Sequence, residues 1–439
     1  MFKSILSLSS LLIGVALLLT GHGLQLALVP LRAEFIGWTS IDIGYLSSVY
    51  FIGFITGCFI VPQVVSRVGH IRTFASMTAI MTATVLGVAL TDSFIFWLLL
   101  RFISGLGIVG LYLVIESWLN SQVSNEVRGS VLAAYTAIVL AGLALGQLLL
   151  NLAPPEGDQL FIIAGILIVL AALPVCLTRS SQPQSIPSAR FSPRLVLKTS
   201  RAAVVGALIA GLVSGSFYGL GPVYGLQTGM NVFEISIMMS LAIAGGALFQ
   251  FPIGRMSDRF DRRRVIFAAL VLGAIMAGCA LLVPTHIVPY IMFAFGAAVM
   301  PIYALSLAHA SDFAEPGTFL EVGTGLQMLN GVGSIIGPLA TSQLMFRIGA
   351  DLFFVSLAII LLLGAMTILV LIRLRDRQSD HVVDFAPATT AAGQGALQMD
   401  PRSDDEDLAS DGLANEDSDD EVFEGTVLPK DESDTYYQD

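Results

Sequence analysis

The sequence is poor in charged residues and in cysteine. Asp, Glu, Lys and Arg make up 13% of the 439 residues, hydrophobic residues make up 55%, and mean hydropathy is +0.80. A soluble domain of this length needs a polar surface that this composition does not supply. The three cysteines, Cys58, Cys176 and Cys279, show neither metal-ligand spacing nor a disulfide framework. We expect them only to pack against their neighbours.

Motifs that indicate catalysis or ATP-driven work are also missing. The chain has no Gly-x-x-x-x-Gly-Lys-Ser/Thr loop, no His-Glu-x-x-His motif, no Gly-x-Ser-x-Gly motif and no paired aspartates in its apolar stretches. We therefore expect no direct use of ATP, no enzymatic activity, no metal and no organic cofactor. The sequence indicates no nucleic-acid partner either.

Twelve long apolar stretches dominate what is present. A helix that crosses the bilayer core needs about 20 apolar residues. The stretches are 5–31, 41–64, 73–91, 94–120, 129–152, 159–178, 202–228, 233–253, 264–283, 286–311, 318–346 and 350–373. The ninth is short, so eleven or thirteen spans remain open. The pattern predicts an all-α polytopic membrane protein in a lipid bilayer.

The first stretch, MFKSILSLSSLLIGVALLLTGHGLQLALVPL, resembles a secretory signal in one respect, its lysine followed by an apolar run. The run is about twice the length of a typical signal core, and no small-residue cleavage site is evident. We interpret it as a retained first transmembrane helix.

Basic residues are distributed unevenly among the loops. With the amino terminus inside, seventeen Lys and Arg near span ends are cytoplasmic, and only Arg32 and Arg347 are outside. Because positive charge near span ends sets orientation, we expect both termini in the cytoplasm.

The last part of the chain has the opposite charge. Residues 378–439 carry 18 acidic and 2 basic residues, whereas residues 1–377 carry 15 and 20. A self-repelling segment with few apolar residues predicts a disordered acidic cytoplasmic tail over 376–439. Two interpretations of this tail remain open, a solvated appendage and a docking or regulatory segment.

The chain repeats itself at an offset of 192 residues. Matching pairs are Gly14 and Gly206, Gly23 and Gly215, Leu28 and Leu220, Pro30 and Pro222, Gly37 and Gly229, Ile43 and Ile235, Ser48 and Ser240, Gly53 and Gly245, Arg67 and Arg259, and Arg72 and Arg264. Helices 10 and 11 fall out of this register. The repeat predicts two parallel six-helix halves, residues 1–178 and 202–375, joined by a cytoplasmic linker at 179–201 that is basic and contains proline.

One loop, GRMSDRFDRRR at residues 254–264, concentrates charge between apolar spans. Anchoring by positive charge explains its arginines but not Gly254 and Asp258. The equivalent stretch in the first half, PQVVSRVGHIR, is weaker. It retains Arg67, Gly69 and Arg72, and it has Pro62, Ser66 and His70 where the second copy has Gly254, Asp258 and Arg262.

Arg101, Gly105 and Gly107 add an Arg-x-x-x-Gly-x-Gly pattern to the two halves and this loop. With these three features the sequence resembles the major facilitator superfamily, and within it the bacterial YcaD-like branch. The resemblance covers about residues 1–375. The family loop reads Gly-x-x-x-Asp-Arg-x-Gly-Arg-Lys/Arg, so Asp261 departs at the second glycine. The resemblance implies a bacterial inner-membrane transporter whose loop latches cytoplasmic helix ends in the outward-facing state. The latch candidates are Gly254, Asp258, Arg259, Arg262, Arg263, Arg67, Gly69 and Arg72.

In this family helices 1, 4, 7 and 10 line the substrate cavity. That implies a lining of His22, Gln25, Arg101, Tyr112, Ser216, Tyr218, Tyr224 and Tyr303. Aromatic and hydroxyl groups suit a small organic solute, and no dense ring of charge demands a strongly charged one. Gln147 replaces the proline of the antiporter signature in helix 5, which argues against drug–proton antiport.

Four charged or titratable residues are candidates for coupling. Arg101 lies inside a span, where an unpaired charge costs about 2.5–3.5 kcal/mol, so proton transfer and structural pairing with a neighbouring helix both remain open. We expect Glu116 near the cytoplasmic end, where a conformational charge relay with Arg67, Arg72 or Arg128 is favoured over the alternative of a proton carrier. His309 and Asp312 share a helical face.

His309 is a candidate for binding substrate or a proton, and the alternative is a structural histidine. The same alternatives apply to His22, which has Gln25 one helical turn further along.

These features favour a monomeric secondary transporter of a small-molecule solute that works by alternating access, with proton coupling expected and uniport open. The alternative is a non-transporting membrane sensor that uses its acidic tail as the contact for a partner. An intramembrane enzyme is a weaker third choice.

Overall fold

The computed structural model describes residues 2–122, 128–177, 192–315, 318–374, 385–388 and 397. Within these residues the regular elements are helices, and none is a strand. The helices are α1 (Phe2–Phe35), α2 (Ser40–Val68), α3 (His70–Val88), α4 (Phe94–Gln122), α5 (Arg128–Leu148), α6 (Gln159–Leu170), α7 (Ala172–Cys176), α8 (Pro193–Thr199), α9 (Arg201–Gln227), α10 (Val232–Arg259), α11 (Arg262–Leu282), α12 (Val288–Val299), α13 (Ile302–Ser311), α14 (Phe319–Ile348) and α15 (Leu352–Arg373).

The predicted spans correspond to these helices. In the described part of the chain, eleven segments are long and apolar enough to cross a membrane, and two of them, α6 with α7 and α12 with α13, are interrupted helices. The second interruption lies at Met300 and Pro301, since proline cannot donate the backbone hydrogen bond that would continue α12. The remaining predicted span, 318–346, corresponds to α14, which is 30 residues long and packs against α9 and α2. The polytopic all-α fold is therefore confirmed.

The outer surface of the bundle is apolar. The helix α15 is the most hydropathic of the spans in the described part of the chain, yet only about a third of its most apolar stretch is buried within the protein. Leu362, Leu363 and Met366 are among its exposed residues. A contiguous apolar surface of this kind is unfavourable in water and stable against lipid, so the bundle is suited to a bilayer.

The first two long helices of each half, α1 with α2 and α9 with α10, are joined by the same turn. Gly37 has a φ of 87° and Gly229 has a φ of 84°, a backbone conformation that glycine adopts without a steric penalty. A capping box follows each glycine, in which the side chains of two residues three apart bond to each other's backbone N–H. The boxes pair Thr39 with Asp42 and Asn231 with Glu234. The 192-residue repeat is therefore also a repeat of local geometry.

The repeat continues beyond the point where the sequence register is lost. A side chain on Gly53 of α2 would collide with the carbonyl oxygen of Phe102 in α4, and one on Gly245 of α10 would collide with that of Phe293 in α12. The glycines differ by 192 positions, whereas the phenylalanines differ by 191. A single-residue deletion thus explains why helices 10 and 11 fall out of register.

The halves meet through α2 with α14 and α5 with α10. We call the end of the bundle with the turns at Gly69 and at residues 260–261 the basic end, and the other the opposite end. Near the opposite end, Ser240 Oγ donates to the Ala144 carbonyl at 2.9 Å and Asn151 Nδ2 donates to Ser236 Oγ at 2.7 Å. These bonds close the cleft between the halves at the opposite end.

Candidate functional site

A cavity lies between the halves, near the middle of α9, and its empty space, including the part open to solvent, measures about 640 Å³. Six helices contribute to it, with α1, α2, α4 and α5 from the first half and α9 and α14 from the second. The lining residues are His22, Leu26, Tyr50, Phe51, Phe54, Tyr112, Leu143, Ser214, Tyr218, Gln327, Asn330, Gly331 and Ser334. None of these is acidic or a lysine. Apolar and aromatic walls with a few polar groups are typical of sites for small organic ligands.

A buried chain of hydrogen bonds runs from this cavity into the first half. The Tyr50 hydroxyl lies 3.1 Å from His22 Nε2, and His22 Nδ1 lies 3.4 Å from Gln25 Oε1. The Gln25 amide then donates to Ser104 Oγ at 3.3 Å. A neutral imidazole has one donor and one acceptor, so Nδ1–H donating to Gln25 and Nε2 accepting from Tyr50 satisfies both nitrogens.

Arg101 lies over the Tyr50 ring. Its guanidinium carbon is 4.4 Å from the centre of that ring, and the residue is 4% exposed. Among the described residues, its Nε and Nη1 have no hydrogen-bond partner. The cation–π contact therefore provides only part of the compensation that a buried charge needs. Two donors remain available to an anionic group, to water or to a side chain that arrives in another conformation.

The cavity differs from the predicted lining in several positions. His22, Tyr112 and Tyr218 line it as predicted, and Gln25 and Arg101 lie behind it in contact with its wall. Three other predicted residues are not among those that line this cavity. Ser216 bonds to the Leu212 carbonyl and to Thr341 Oγ1, Tyr224 stacks on Phe353 and meets Phe354 edge to face, and Tyr303 is buried on α13.

Sequence reasoning missed the contributions of α2 and α14. Tyr50 reaches the cavity from α2, and Gln327, Asn330 and Ser334 reach it from α14. A signal for α14 was present in the sequence, because this helix is more polar than the other spans. Polar residues spaced three and four apart in such a helix share one face, and here that face is directed inward.

Glu116 is fully buried near the basic end of α4. The Tyr135 hydroxyl on α5 donates to Glu116 Oε1 at 3.1 Å. Arg67 and Arg72 are exposed, and the side chain of Arg128 lies outside those described. One partner of Glu116 is thus a tyrosine of its own half, and the role of Glu116 as a charge relay stays a prediction.

The loop between α10 and α11 forms an ion-pair network. Arg262 is 3% exposed, its Nε donates to Asp312 Oδ2 at 2.8 Å, and its Nη2 lies 3.0 Å from Asp258 Oδ1. The network joins α10, α11 and the end of α13, all within the second half. Asp312 is thereby engaged by arginine, whereas His309, buried on the same helix, makes an edge contact with Phe313. The ion pairs that Arg262 and Arg263 form with Asp258, Asp312 and Asp261 lie within the second half.

Asp261, at the position of the expected second glycine, caps α11. It accepts hydrogen bonds from the Arg263 backbone N–H at 2.9 Å and from Nη2 of the same residue at 2.9 Å. Burial works to raise the pKa of the Asp261 carboxyl, but the hydrogen bonds and charge of Arg263 hold that pKa below its usual value. Gly69 occupies the equivalent position in the first half and has a φ of 87°. The two turns therefore end α2 and α10 by different means, and Arg259 is exposed beside the second one.

Asp261→Ala is expected to lower the free energy of unfolding by about 1 kcal/mol, since it removes a helix N-cap. Because the folded pKa is lowered, the contribution is complete at neutral pH and declines only as the pH falls below about 4. Thermal unfolding in detergent at pH 7 and at acidic pH measures both effects. Asp92→Ala, at an exposed position between α3 and α4, is the control, and an equal loss in both variants would contradict the assignment.

Comparison with known proteins agrees with this architecture. The profile of the Major Facilitator Superfamily matches the chain twice, over residues 11–246 and 203–398. The chain belongs to the major facilitator superfamily. The second match begins beside residue 202, where the second predicted half begins.

Relatives in this superfamily are similar over most of their length. The MFS-type transporter YcaD of Escherichia fergusonii is 30% identical over 350 residues, which cover 79% of this chain and 91% of that protein. The YcaD protein of Salmonella typhimurium is 31% identical over 352 residues, with the same coverage. The resemblance to the YcaD-like branch is thus confirmed, and the protein is a membrane transporter rather than an enzyme.

Solved structures of transporters share the fold. The nucleoside transporter NupG has a TM-score of 0.67 at 15% identity and covers 85% of this chain and 100% of its own. A bacterial homologue of the human lysosomal transporter Spinster, in an inward-facing and occupied conformation, has a TM-score of 0.69 at 17% identity and covers 85% of this chain and 98% of its own. At these identities the likeness concerns the fold alone.

Proposed function

We propose that this protein is a secondary active transporter that moves a small organic solute by alternating access, with protons as the coupling ion. The observation that carries the proposal is the cavity between the halves, which both halves line and which inter-half bonds close at the opposite end. Movement of one half against the other would change the end from which such a cavity is reached.

We place the basic end in the cytoplasm of a bacterium, with the bundle in the inner membrane. The distribution of Lys and Arg among the loops supports this orientation. With this orientation the present arrangement, closed at the opposite end, is an inward-facing one. The cavity is complete within a single chain, which supports a monomer as the working unit.

The cluster of His22, Tyr50 and Arg101 is our candidate for proton coupling. His22 is a titratable group in the cavity wall. Its described hydrogen bonds give both ring nitrogens of the neutral imidazole a partner. A proton on His22 would place a second positive charge near Arg101 in surroundings of low dielectric constant, where like charges repel strongly. Protonation of His22 and displacement of Arg101 from Tyr50 are therefore expected to accompany each other.

The walls of the cavity favour a solute with an aromatic or apolar body and a few hydrogen-bonding groups. Tyr112, Tyr218 and Phe54 offer ring surfaces, while Gln327 and Asn330 offer amides. Such groups orient a ligand without requiring high charge.

The test is the internal pH of proteoliposomes while a library of small molecules is added outside. A solute-dependent pH change that requires the protein supports coupled transport and identifies a solute. Uptake of a labelled compound without a pH change would indicate a uniporter and would overturn the proposed proton coupling. Neither signal from correctly folded protein would contradict transport and favour the alternative, a sensor that uses its tail as the contact for a partner.

A further inference from the structure

Part of the acidic tail lies against the second half at the basic end. The backbone N–H of Phe385 donates to Asp258 Oδ2 at 3.3 Å, and Gln250 Nε2 donates to the Ala388 carbonyl at 2.6 Å. Ala386 is 7% exposed and Leu397 is 4% exposed. The described tail residues, which we call the tail contacts (385–388 and 397), thus differ from the solvated tail that composition predicts, while the rest of 376–439 lies outside the described residues.

The first tail contact covers a particular face of α10. Gln250, Gly254 and Asp258 are spaced four residues apart and share this face. The Phe385 ring lies against Gly254, where any Cβ would collide with the ring. At 100° per residue, Ser236 and Ser240 lie on the same face. At the opposite end these two serines bond to the first half, Ser240 to Ala144 of α5 and Ser236 to Asn151 just beyond α5. The tail therefore occupies, at the basic end, the face by which α10 meets the other half.

The second tail contact lies on α14. Leu397 packs against Gly323, where an added Cβ would lie 2.9 Å from its methyl carbons. Gly323, Gln327, Asn330 and Ser334 follow one another at intervals of three or four and share a face. The last three line the cavity, and Gln327 is about 6 Å along the helix from Gly323. Leu397 therefore lies on the cavity side of α14, between the cavity and the basic end.

We propose that the tail contacts form a built-in inhibitor of the transport cycle, an inference that depends on the proposed alternating access. They occupy the inter-half faces of α10 and α14, and the halves need those faces to approach each other at the basic end. Because the tail binds only the conformation that is open there, it stabilises that conformation at the expense of the closed one. Release of Phe385 and Leu397 must precede closure.

Gly254 and Asp258 thus belong to two alternative contacts, one with the tail and one within the closed latch. In the conformation described, Asp258 accepts from Phe385 and pairs with Arg262. The resemblance to the family assigns the same loop to a latch that forms when the basic end closes. Tail and latch therefore compete for one surface, and a partner that removes the tail would activate transport.

The experiment measures the distance between the halves at the basic end, which requires no knowledge of the solute. Spin labels are placed on cysteines at Ser66 of α2 and Arg264 of α11, both exposed, after replacement of Cys58, Cys176 and Cys279. The full chain is expected to show predominantly the longer, open distance. Removal of residues 378–439 is expected to raise the ratio of closed to open populations about tenfold, which corresponds to about 1.4 kcal/mol.

Two further variants separate contact from charge. Removal of 398–439 keeps both tail contacts but deletes 16 of the 18 acidic residues in 378–439, leaving Asp380 and Asp384, and it should leave the distances unchanged. The double variant Phe385→Ala/Leu397→Ala keeps every acid and should reproduce the full truncation, with Phe423→Ala as its control. The proposal would be overturned if both truncations shifted the distances equally. It would also be overturned if neither the removal of 378–439 nor the double variant shifted them.

Failure of this inference is distinguishable from failure of the proposed function. If the distances shift but no solute is transported, the tail controls conformation in a protein whose substrate lies outside the library. If a solute is transported and neither the distances nor the initial rate respond to the double variant, transport stands and inhibition by the tail does not.

Discussion

Arg101→Ala is expected to reduce the initial rate of solute-dependent proton movement by about 30-fold or more, equivalent to at least about 2 kcal/mol. The guanidinium is buried against the Tyr50 ring beside the cavity wall, and its Nε and Nη1 have no hydrogen-bond partner in the described part of the chain. A donor pair held ready in this way is available to a charged group of the solute or to the coupling step. Internal pH in proteoliposomes measures the loss.

The same geometry predicts how the controls behave. The alanine variant leaves no described acid unpaired, so we expect it to remain monodisperse in detergent. Arg101→Lys keeps the charge but loses the planar stacking surface on Tyr50, and an intermediate rate is expected. Arg347→Ala, at an exposed position, should transport normally. A fully active Arg101→Ala variant with unchanged proton coupling would remove Arg101 from the mechanism.

Gly105→Ala is expected to destabilise the first half by about 3 kcal/mol, near the upper end of the usual cost of overpacking. An added Cβ at this position would collide with the Tyr50 carbonyl oxygen and approach the backbone nitrogen of Phe54 at 2.8 Å. Both obstacles are backbone atoms of α2, so no change of side-chain rotamer relieves the contact and the two helices must separate. Thermal unfolding in detergent measures the cost.

A second glycine provides the matched control. Gly278 lies inside α11 with no atom within 4 Å of an added Cβ. Gly278→Ala should therefore stabilise the protein by up to about 1 kcal/mol, since alanine is the better helix former. If both substitutions lowered the unfolding temperature equally, helix crossing at Gly105 would not be the cause. Because Tyr50 also lines the cavity, separation of α2 from α4 should impair transport as well.

The number and type of the helices could be predicted from sequence because their signal is local. An apolar stretch long enough to cross a bilayer is visible in any window, and the pairing of Gly37 with Gly229 is visible in a simple self-comparison. The polar helix α14 was also predicted, as the span 318–346, although its hydropathy falls below that of the other spans. Its polarity reflects its position at the interface between the halves, where Gln327 and Asn330 face the cavity rather than lipid.

The cavity was only partly predictable. His22 and Tyr112 were identified from their helices, whereas Ser216 and Tyr224 were assigned to the cavity from helix number alone. A helix number does not specify the rotation of the helix about its axis, and a rotation of 100° separates neighbouring residues. Ser216 is directed towards Thr341, and Tyr224 towards Phe353.

The sequence by itself determined that this is a helical membrane protein of two repeated halves with a basic loop at residues 254–264, because apolar length and loop charge act over short segments and the repeat is visible in a self-comparison. Only the tertiary structure decided that Tyr50 joins His22 to Arg101, that Arg262 bonds to Asp312, and that Phe385 lies on Gly254. Each of these contacts joins residues distant in the chain, and its formation depends on the rotation and crossing of packed helices, which no local pattern encodes.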